Sequence, residues 1–303
     1  MNIVPATLKL HHSAEEVASN LPALMLKAEK AVASILQGEH TQKKSGQGEK
    51  FWQFRDYVPG DRPQDIDWRQ SGKTDHIYIR QKEWQTTQSA IFWCNKTASM
   101  DFSSDEKYPS KAETAKILTL GMALLMTRAG EQVGIFGGSR TGRTEATLHR
   151  MGETLCSTEN NFEELPDPYA CTLPRHCSLV QIGDFLSPPD YIENAFKKLS
   201  AHTDNGLVIQ VLDPAELELP YSGRFIFEDT TTKVQEQVNH VDSIRESYKQ
   251  RIKEHISAIQ NICRDRQWEY HLHATDHDVS DTLMKVWESI SNHSASQSIG
   301  TSP

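Results

Sequence analysis

The sequence predicts an α/β protein built on a doubly wound, mostly parallel sheet. From residue 89 onward, short apolar runs alternate with longer segments in which apolar residues recur every three or four positions. Apolar strands that alternate with amphipathic helices are typical of parallel sheets with helices on both faces. The length of 303 residues, with 37% hydrophobic and 24% charged residues, fits one or two globular domains with a substantial core.

The first 88 residues follow a different pattern. Residues 14–36 carry apolar side chains at helical spacing, which predicts one helix. Residues 51–57 and 76–84 alternate between apolar and polar side chains like strands, and a Pro-Gly turn at residues 58–61 ends the first of them. We therefore predict an N-terminal extension over residues 1–88 that consists of a helix and a β-hairpin.

The second part of the chain, residues 89–292, is predicted to form the α/β domain. Residues 293–303 are rich in Ser and lack a hydrophobic period, so we predict a disordered tail there. The predicted strands of the domain are 89–94, 133–136, 178–183, 207–212 and 269–274, and its predicted helices are 110–127, 144–156, 189–202, 237–265 and 279–290.

Charge and cysteine content restrict the class of partner and the compartment. The chain carries 32 Lys and Arg against 41 Asp and Glu, for a net charge of −9, which argues against a nucleic-acid or acidic-membrane binder. A transmembrane helix needs about 20 mostly apolar residues, and the sequence contains no such stretch. The five cysteines form no CxxC pair and suit a reducing compartment. We therefore expect a cytoplasmic protein without a nucleic-acid partner.

Polar side chains follow two of the predicted core strands. Asn95, Thr97 and Ser99 stand at alternate positions after the first strand, and Asp184 follows the third. Ligands of doubly wound sheets bind beyond the carboxyl ends of the strands, and Mg²⁺ prefers oxygen ligands such as these. Thr144, where a helix is predicted to start, is the candidate for a further hydroxyl. The alternative is that these residues only cap a loop and the following helix.

Two groups of residues resemble known families. The residues at the strand ends resemble the metal-ion-dependent adhesion site of von Willebrand factor A domains, which uses Asp-x-Ser-x-Ser, a Thr from a later loop and an Asp from another. Residues 51–61, 66–69, 78–83 and 212–220 resemble the signature of domain-of-unknown-function family 58. The resemblance covers roughly residues 14–290 and implies a von Willebrand factor A-like, Rossmann-like core.

The adhesion-site pattern is incomplete in this sequence. Asn95 stands where the family motif has Asp, and Thr97 replaces a Ser while keeping the hydroxyl. Replacing a carboxylate by an amide removes one negative charge from a divalent site, for a net loss of about 1–3 kcal/mol, or roughly 5- to 150-fold in affinity. We therefore expect a degenerate site that binds Mg²⁺ weakly or not at all.

The signature residues of the hairpin have two interpretations. Arginines and carboxylates around a Pro-Gly turn can form ion pairs that hold the hairpin in place, which is the interpretation we favour. They can also form a patch that recognises a partner or an acidic group. The residues concerned are Arg55, Asp61, Asp67, Trp68, Arg69 and Arg80.

The resemblance also implies a function. The family is bacterial, and its genes commonly neighbour those of MoxR-type AAA+ ATPases, which implies a role in the assembly or maturation of other proteins. The sequence contains none of the motifs GxSxG, GxxxxGK[ST] or GxGxxG. We therefore expect a non-enzymatic protein-interaction module with a MoxR-type ATPase and a client protein as partners. The alternatives are a divalent-metal-dependent hydrolase that uses Asp184, and a metal-free structural protein that self-associates.

Overall fold

The computed structural model describes residues 20–35, 51–56, 71–72, 78–82, 89–138, 140–157, 164–171, 173–174, 176–228 and 234–297. The chain divides into two compact units, residues 38–87 and residues 1–37 together with 88–303. The elements are α1 (20–35), β1 (Phe51–Asp56), β2 (Tyr78–Lys82), β3 (Ser89–Cys94), a 3₁₀ helix (Ala98–Asp101), α2 (Lys111–Arg128), β4 (Gln132–Ile135), α3 (Glu145–Cys156), β5 (Cys177–Gly183), α4 (Pro189–Ser200), β6 (Asn205–Leu212), α5 (Pro214–Glu218), β7 (Phe225–Glu228), β8 (Gln235–Val238), α6 (Val241–Asp265), β9 (Glu269–Ala274) and α7 (Val279–Gln297).

The smaller unit contains the predicted hairpin. Strands β1 and β2 pair in an antiparallel ladder, in which Arg55 lies opposite Ile79 and Phe54 lies opposite Arg80. Arg55 and Arg80, two of the three signature arginines, thus occupy neighbouring register positions. The other four signature residues, Asp61, Asp67, Trp68 and Arg69, lie outside the described residues.

The larger unit is built on a five-stranded sheet in which every pair of neighbouring strands is parallel. The strand order is β4-β3-β5-β6-β9. Strand β3 pairs with β4 on one side and with β5 on the other, so the connections turn in opposite directions on either side of it. This order is that of a doubly wound fold, whose ligand-binding crevice opens between the carboxyl ends of β3 and β5. The predicted α/β class is therefore confirmed.

Helices cover both faces of this sheet. Helices α1, α2, α3 and α7 share one hydrophobic core with buried strand residues such as Phe92 and Val180. Helices α4 and α6 share the other core with Ile91 and Leu179. Because α1 buries one side against the first core, it belongs to the α/β unit. The prediction had grouped this helix with the hairpin in an extension over residues 1–88. The buried residues of α1 in that core are Leu24, Ala28, Val32 and Ile35.

A chain of aromatic rings fills the second core. The rings of Phe196 and Trp268 lie 5.2 Å apart, and Phe185 continues the contact 5.9 Å from Phe196. The Trp268 indole lies directly over the start of β6, where a Cβ on Gly206 would come within 2.1 Å of its ring. Position 206 therefore requires glycine because the indole occupies the space of any side chain.

We expect Gly206→Ala to lower the free energy of unfolding by about 1–3 kcal/mol, since an added methyl group must displace a packed indole. Urea denaturation followed by tryptophan fluorescence measures the change. Asn205→Ala, one residue earlier on the same strand and exposed, is the control and should leave the stability within about 0.5 kcal/mol of the parent. Equal stability of both variants would mean that the indole can move aside at little cost.

Two segments differ from the prediction. Strands β7 and β8 pair in an antiparallel ladder, and the second of them ends at Val238, so the helix predicted over 237–265 begins only at Val241. Packing of the Tyr221 ring against Phe225, 4.8 Å away, supports this hairpin and overrides the helical pattern. Helix α7 extends to Gln297 and covers the first residues of the predicted tail 293–303, because no Gly or Pro interrupts the backbone before Gly300.

Within the described part of the chain, no helix has the length and apolar composition needed to cross a bilayer.

Candidate functional site at the carboxyl edge of the sheet

Asn95 and Asp184 meet where the crevice between β3 and β5 opens. The Asn95 backbone N–H donates to the Ile182 carbonyl oxygen at 2.8 Å, which places residue 95 directly after the paired strands. Its side-chain Nδ2 donates to Asp184 Oδ1 at 3.2 Å, and both residues are buried. A Cβ on Gly183 would lie 2.7 Å from the Asn95 Cβ, so glycine permits this close approach.

The loop after β3 folds around the Asn95 side chain. Asn95 Oδ1 accepts hydrogen bonds from the Thr97 backbone N–H at 2.9 Å and from the Thr97 hydroxyl at 2.8 Å. Ser99 Oγ lies 2.9 Å from Thr97 Oγ1 and donates to Asp184 Oδ2 at 2.7 Å. The structure therefore brings four of the five predicted site residues, Asn95, Thr97, Ser99 and Asp184, into one network.

A buried lysine completes this network. Lys111, the first residue of α2, places its ammonium 3.1 Å from Asp184 Oδ2 and 2.6 Å from Glu216 Oε1. Its side chain is only 1% exposed, so water cannot stabilise the charge. Burial raises the pKa of the Glu216 carboxyl, and the neighbouring Lys111 ammonium opposes that rise by favouring the charged form. The ammonium thus neutralises charge at the centre of the edge.

Asp213 extends the network to two further loops. It begins helix α5 as part of a capping box, in which its Oδ1 accepts from the Ala215 N–H at 2.8 Å and Glu216 Oε2 accepts from the Asp213 N–H at 2.9 Å. Its second oxygen, Oδ2, accepts from the Ser104 N–H at 2.9 Å and from the Thr275 hydroxyl at 3.4 Å. Asp213 therefore joins the loops that follow β3, β6 and β9.

Comparison with known proteins identifies the family. The family described as "Protein of unknown function DUF58" matches residues 53–258, a range that contains most of this network: Asn95, Thr97, Ser99, Lys111, Asp184, Asp213 and Glu216. The chain belongs to the DUF58 family. Similar proteins include uncharacterised proteins of Mycobacterium bovis and of two Mycobacterium tuberculosis strains, each 24% identical over 258 residues, which is 80% of this chain and 80% of the relative. No solved structure gives a significant match.

Thr144, the fifth predicted site residue of this DUF58 chain, lies elsewhere. After β4 the chain folds back, and Gly142 exchanges two backbone hydrogen bonds with Val133 near the start of that strand. Thr144 therefore begins α3 beside the amino-terminal half of β4, and its hydroxyl lies 3.1 Å from that of Thr147. The prediction failed because it assumed that the loop after β4 stays at the carboxyl edge.

The sequence contained signals for the residues that were not predicted. Lys111 stands at the start of a helix, where the helix dipole disfavours a cation, and it shares the helical stripe of the buried Ala115 and Leu118. Such a lysine needs a buried carboxylate partner. Asp213 and Glu216, three residues apart with a proline between them, form a recognisable capping-box pattern.

The residues at this edge do not fit a bound divalent ion. A metal about 2.1 Å from the Asp184 oxygen would lie within about 5 Å of the Lys111 ammonium, and a +2 and a +1 charge at that distance repel by about 7 kcal/mol at an effective dielectric constant of about 20. Asn95 also directs its Nδ2 donor toward Asp184 and already uses Oδ1 to accept from Thr97. Among the described residues, no three His, Cys, Asp or Glu side chains are grouped to hold a metal.

Proposed function

We propose that this DUF58 protein is a non-enzymatic protein-interaction module of the cytoplasm that acts with a MoxR-type AAA+ ATPase in the assembly or maturation of other proteins. Its partner surface is formed by the loops at the carboxyl edge of the sheet. The observation that carries this proposal is the buried network, in which Asp184 and Asp213 fix the loops after β3, β5, β6 and β9 in one arrangement. Loops that are fixed before binding lose little conformational entropy when a partner docks.

Exposed acidic residues lie in two of the loops that this network joins. Asp101, Asp105 and Glu106 lie in the loop after β3, and Asp276 and Asp278 lie in the loop after β9. We call these five residues the acidic rim. Its two segments are neighbours because Ser104 and Thr275 donate to the same Asp213 oxygen.

The acidic rim favours a partner with a basic surface. A cluster of like charges steers an oppositely charged protein toward the binding site and suppresses acidic competitors. The buried carboxylates beneath the rim are engaged, because Asp184 and Glu216 both bind the Lys111 ammonium. Carboxylates held by an ammonium act as structural supports and are poorly placed to act as a general base. The arrangement therefore favours a binding function over hydrolysis.

The choice of a MoxR-type ATPase rests on the family resemblance. The experiment is a pull-down with the purified ATPase, with and without nucleotide. We expect the double variant Asp101→Lys/Glu106→Lys to reduce retention of the ATPase about tenfold, because two rim charges are reversed. Both side chains are exposed, and circular dichroism verifies that the variant is folded.

The matched control is Asp265→Lys, an exposed acidic residue at the end of α6, which leads into the opposite edge of the sheet. This variant should retain the ATPase like the parent protein. Equal retention by the rim variant and the control would place the contact elsewhere. If the parent protein does not retain the ATPase under either nucleotide condition, the ATPase is not the partner.

A further inference from the structure

We propose that the Lys111 ammonium is the central cation of this edge, in place of a metal ion, and that removing Lys111 exposes a divalent-cation site. The loops of the carboxyl edge would then be assembled by a cation that belongs to the chain itself. This inference concerns how the edge is held together, so it stands or fails independently of the partner under Proposed function.

The contacts of Lys111 are those of a central cation. Its ammonium binds one oxygen of Asp184 and one of Glu216, side chains that follow two different strands. The other Asp184 oxygen binds Asn95, and Ser99 donates to the same oxygen as Lys111. A lysine ammonium is a compact charge with three donors, so it can hold several oxygens together as a metal ion does.

Asn95 complements Lys111, because its side-chain amide binds the other oxygen of Asp184. A carboxylate at position 95 would face Asp184 across the 3.2 Å that now separates Asn95 Nδ2 from Asp184 Oδ1. Two carboxylates in such contact need a cation between them or a shared proton. The amide removes this need because it donates directly to Asp184. The amide at position 95 and the ammonium at position 111 therefore act together to lower the negative charge that a metal would have to balance.

Without Lys111 the edge would hold an uncompensated pair of carboxylates. Asp184 and Glu216 would face the same buried space, accompanied by the hydroxyls of Thr97 and Ser99. Carboxylate and hydroxyl oxygens are ligands that Mg²⁺ and Mn²⁺ accept. The variant Lys111→Met keeps the length of the side chain, removes the charge and frees the carboxylates to bind a metal.

The experiment titrates Mn²⁺ alone into the full chain, by calorimetry and by thermal unfolding with and without a chelator. We expect the parent protein to melt at the same temperature in both conditions. Lys111→Met should bind Mn²⁺ at least about tenfold more tightly than the parent protein. Its melting temperature should rise by roughly 5 °C at 100 times the dissociation constant.

Lys27→Met is the matched control, because Lys27 pairs with Glu113 at the surface, where both side chains are exposed. It removes one lysine from one carboxylate without exposing a buried pair, so it should not gain Mn²⁺ affinity. Mn²⁺ binding by the parent protein that is lost in Asp184→Asn would overturn the proposal, because a metal would then share the edge with Lys111.

Lys111→Met loses a buried ion pair, so a second variant guards against a failure to fold. Lys111→Met/Glu216→Gln leaves one buried carboxylate fewer, and it should bind Mn²⁺ more tightly than the parent protein but more weakly than Lys111→Met. If Lys111→Met is unfolded at every Mn²⁺ concentration and the folded double variant does not bind Mn²⁺, the proposal is wrong. Recovery of the Lys111→Met fold on adding Mn²⁺ would support it directly.

Discussion

Asp184→Ala is expected to lower the free energy of unfolding by about 3–5 kcal/mol, because truncating one partner of a buried ion pair leaves the other charge uncompensated. The Asp184 side chain is 4% exposed and accepts hydrogen bonds from Asn95, Ser99 and Lys111. Removing it leaves Lys111 with Glu216 alone and removes the side-chain hydrogen bonds that Asn95 and Ser99 make from the loop after β3 to Asp184. Urea denaturation near pH 7, with the slope of the transition checked for two-state behaviour, measures the loss.

The control for this prediction is Asp204→Ala. Asp204 Oδ2 also lies within ion-pair distance of a basic side chain, 3.2 Å from His176 Nδ1, but the Asp204 side chain is 48% exposed. Exposed pairs contribute about 0–1 kcal/mol, so this variant should unfold almost like the parent protein. In a double-mutant cycle, Asp184→Ala and Lys111→Met should cost less together than the sum of their separate costs. Strict additivity would show that the two charges do not interact.

Sequence patterns predicted the elements whose periodicity reports contact with the sheet. Helix α4 shows this well, because its buried residues Ile192, Phe196 and Leu199 repeat at spacings of four and three. The β7–β8 hairpin was missed because its strands are mostly exposed and carry no alternating burial. Its support comes from ring contacts between Tyr221, Phe225 and Phe227, which a local pattern does not specify.

The candidate site was predicted to the extent that topology alone determines it. Asn95 and Asp184 could be placed together because each follows a strand of a doubly wound sheet at its carboxyl end. The Lys111–Glu216 pair could not, because its partners are 105 residues apart and meet only when α2 and α5 dock at the same edge. Thr144 was misplaced for the related reason that a backbone reversal after β4 leaves no mark in the spacing of hydroxyl residues.

His273 makes the fold sensitive to acid. It lies 1% exposed at the end of β9, and its Nδ1 lies 2.8 Å from the Thr282 hydroxyl. Its Nε2 is buried without a hydrogen-bond partner among the described residues. Burial, together with the smaller effect of His277, lowers the pKa of His273 from 6.5 to about 4, although Asp276 and Asp278 oppose the shift. The folded protein therefore keeps this imidazole neutral at pH values where the unfolded chain protonates it.

Stability should fall as the pH drops from 7 toward 4, because in that interval the unfolded state binds a proton that the folded state excludes. The shift of His273 from 6.5 to about 4 corresponds to about 3 kcal/mol, fully present above pH 6.5 and lost progressively as the pH approaches 4. We expect His273→Gln to remove this contribution, so that the difference in unfolding free energy between the variant and the parent protein changes by about 3 kcal/mol between pH 7 and pH 4. Urea denaturation at half-unit pH steps measures it, with His149→Gln, an exposed histidine on α3, as the control. If the pH profile of His273→Gln is parallel to that of the parent protein, then His273 of the parent protein is protonated alike in its folded and unfolded states.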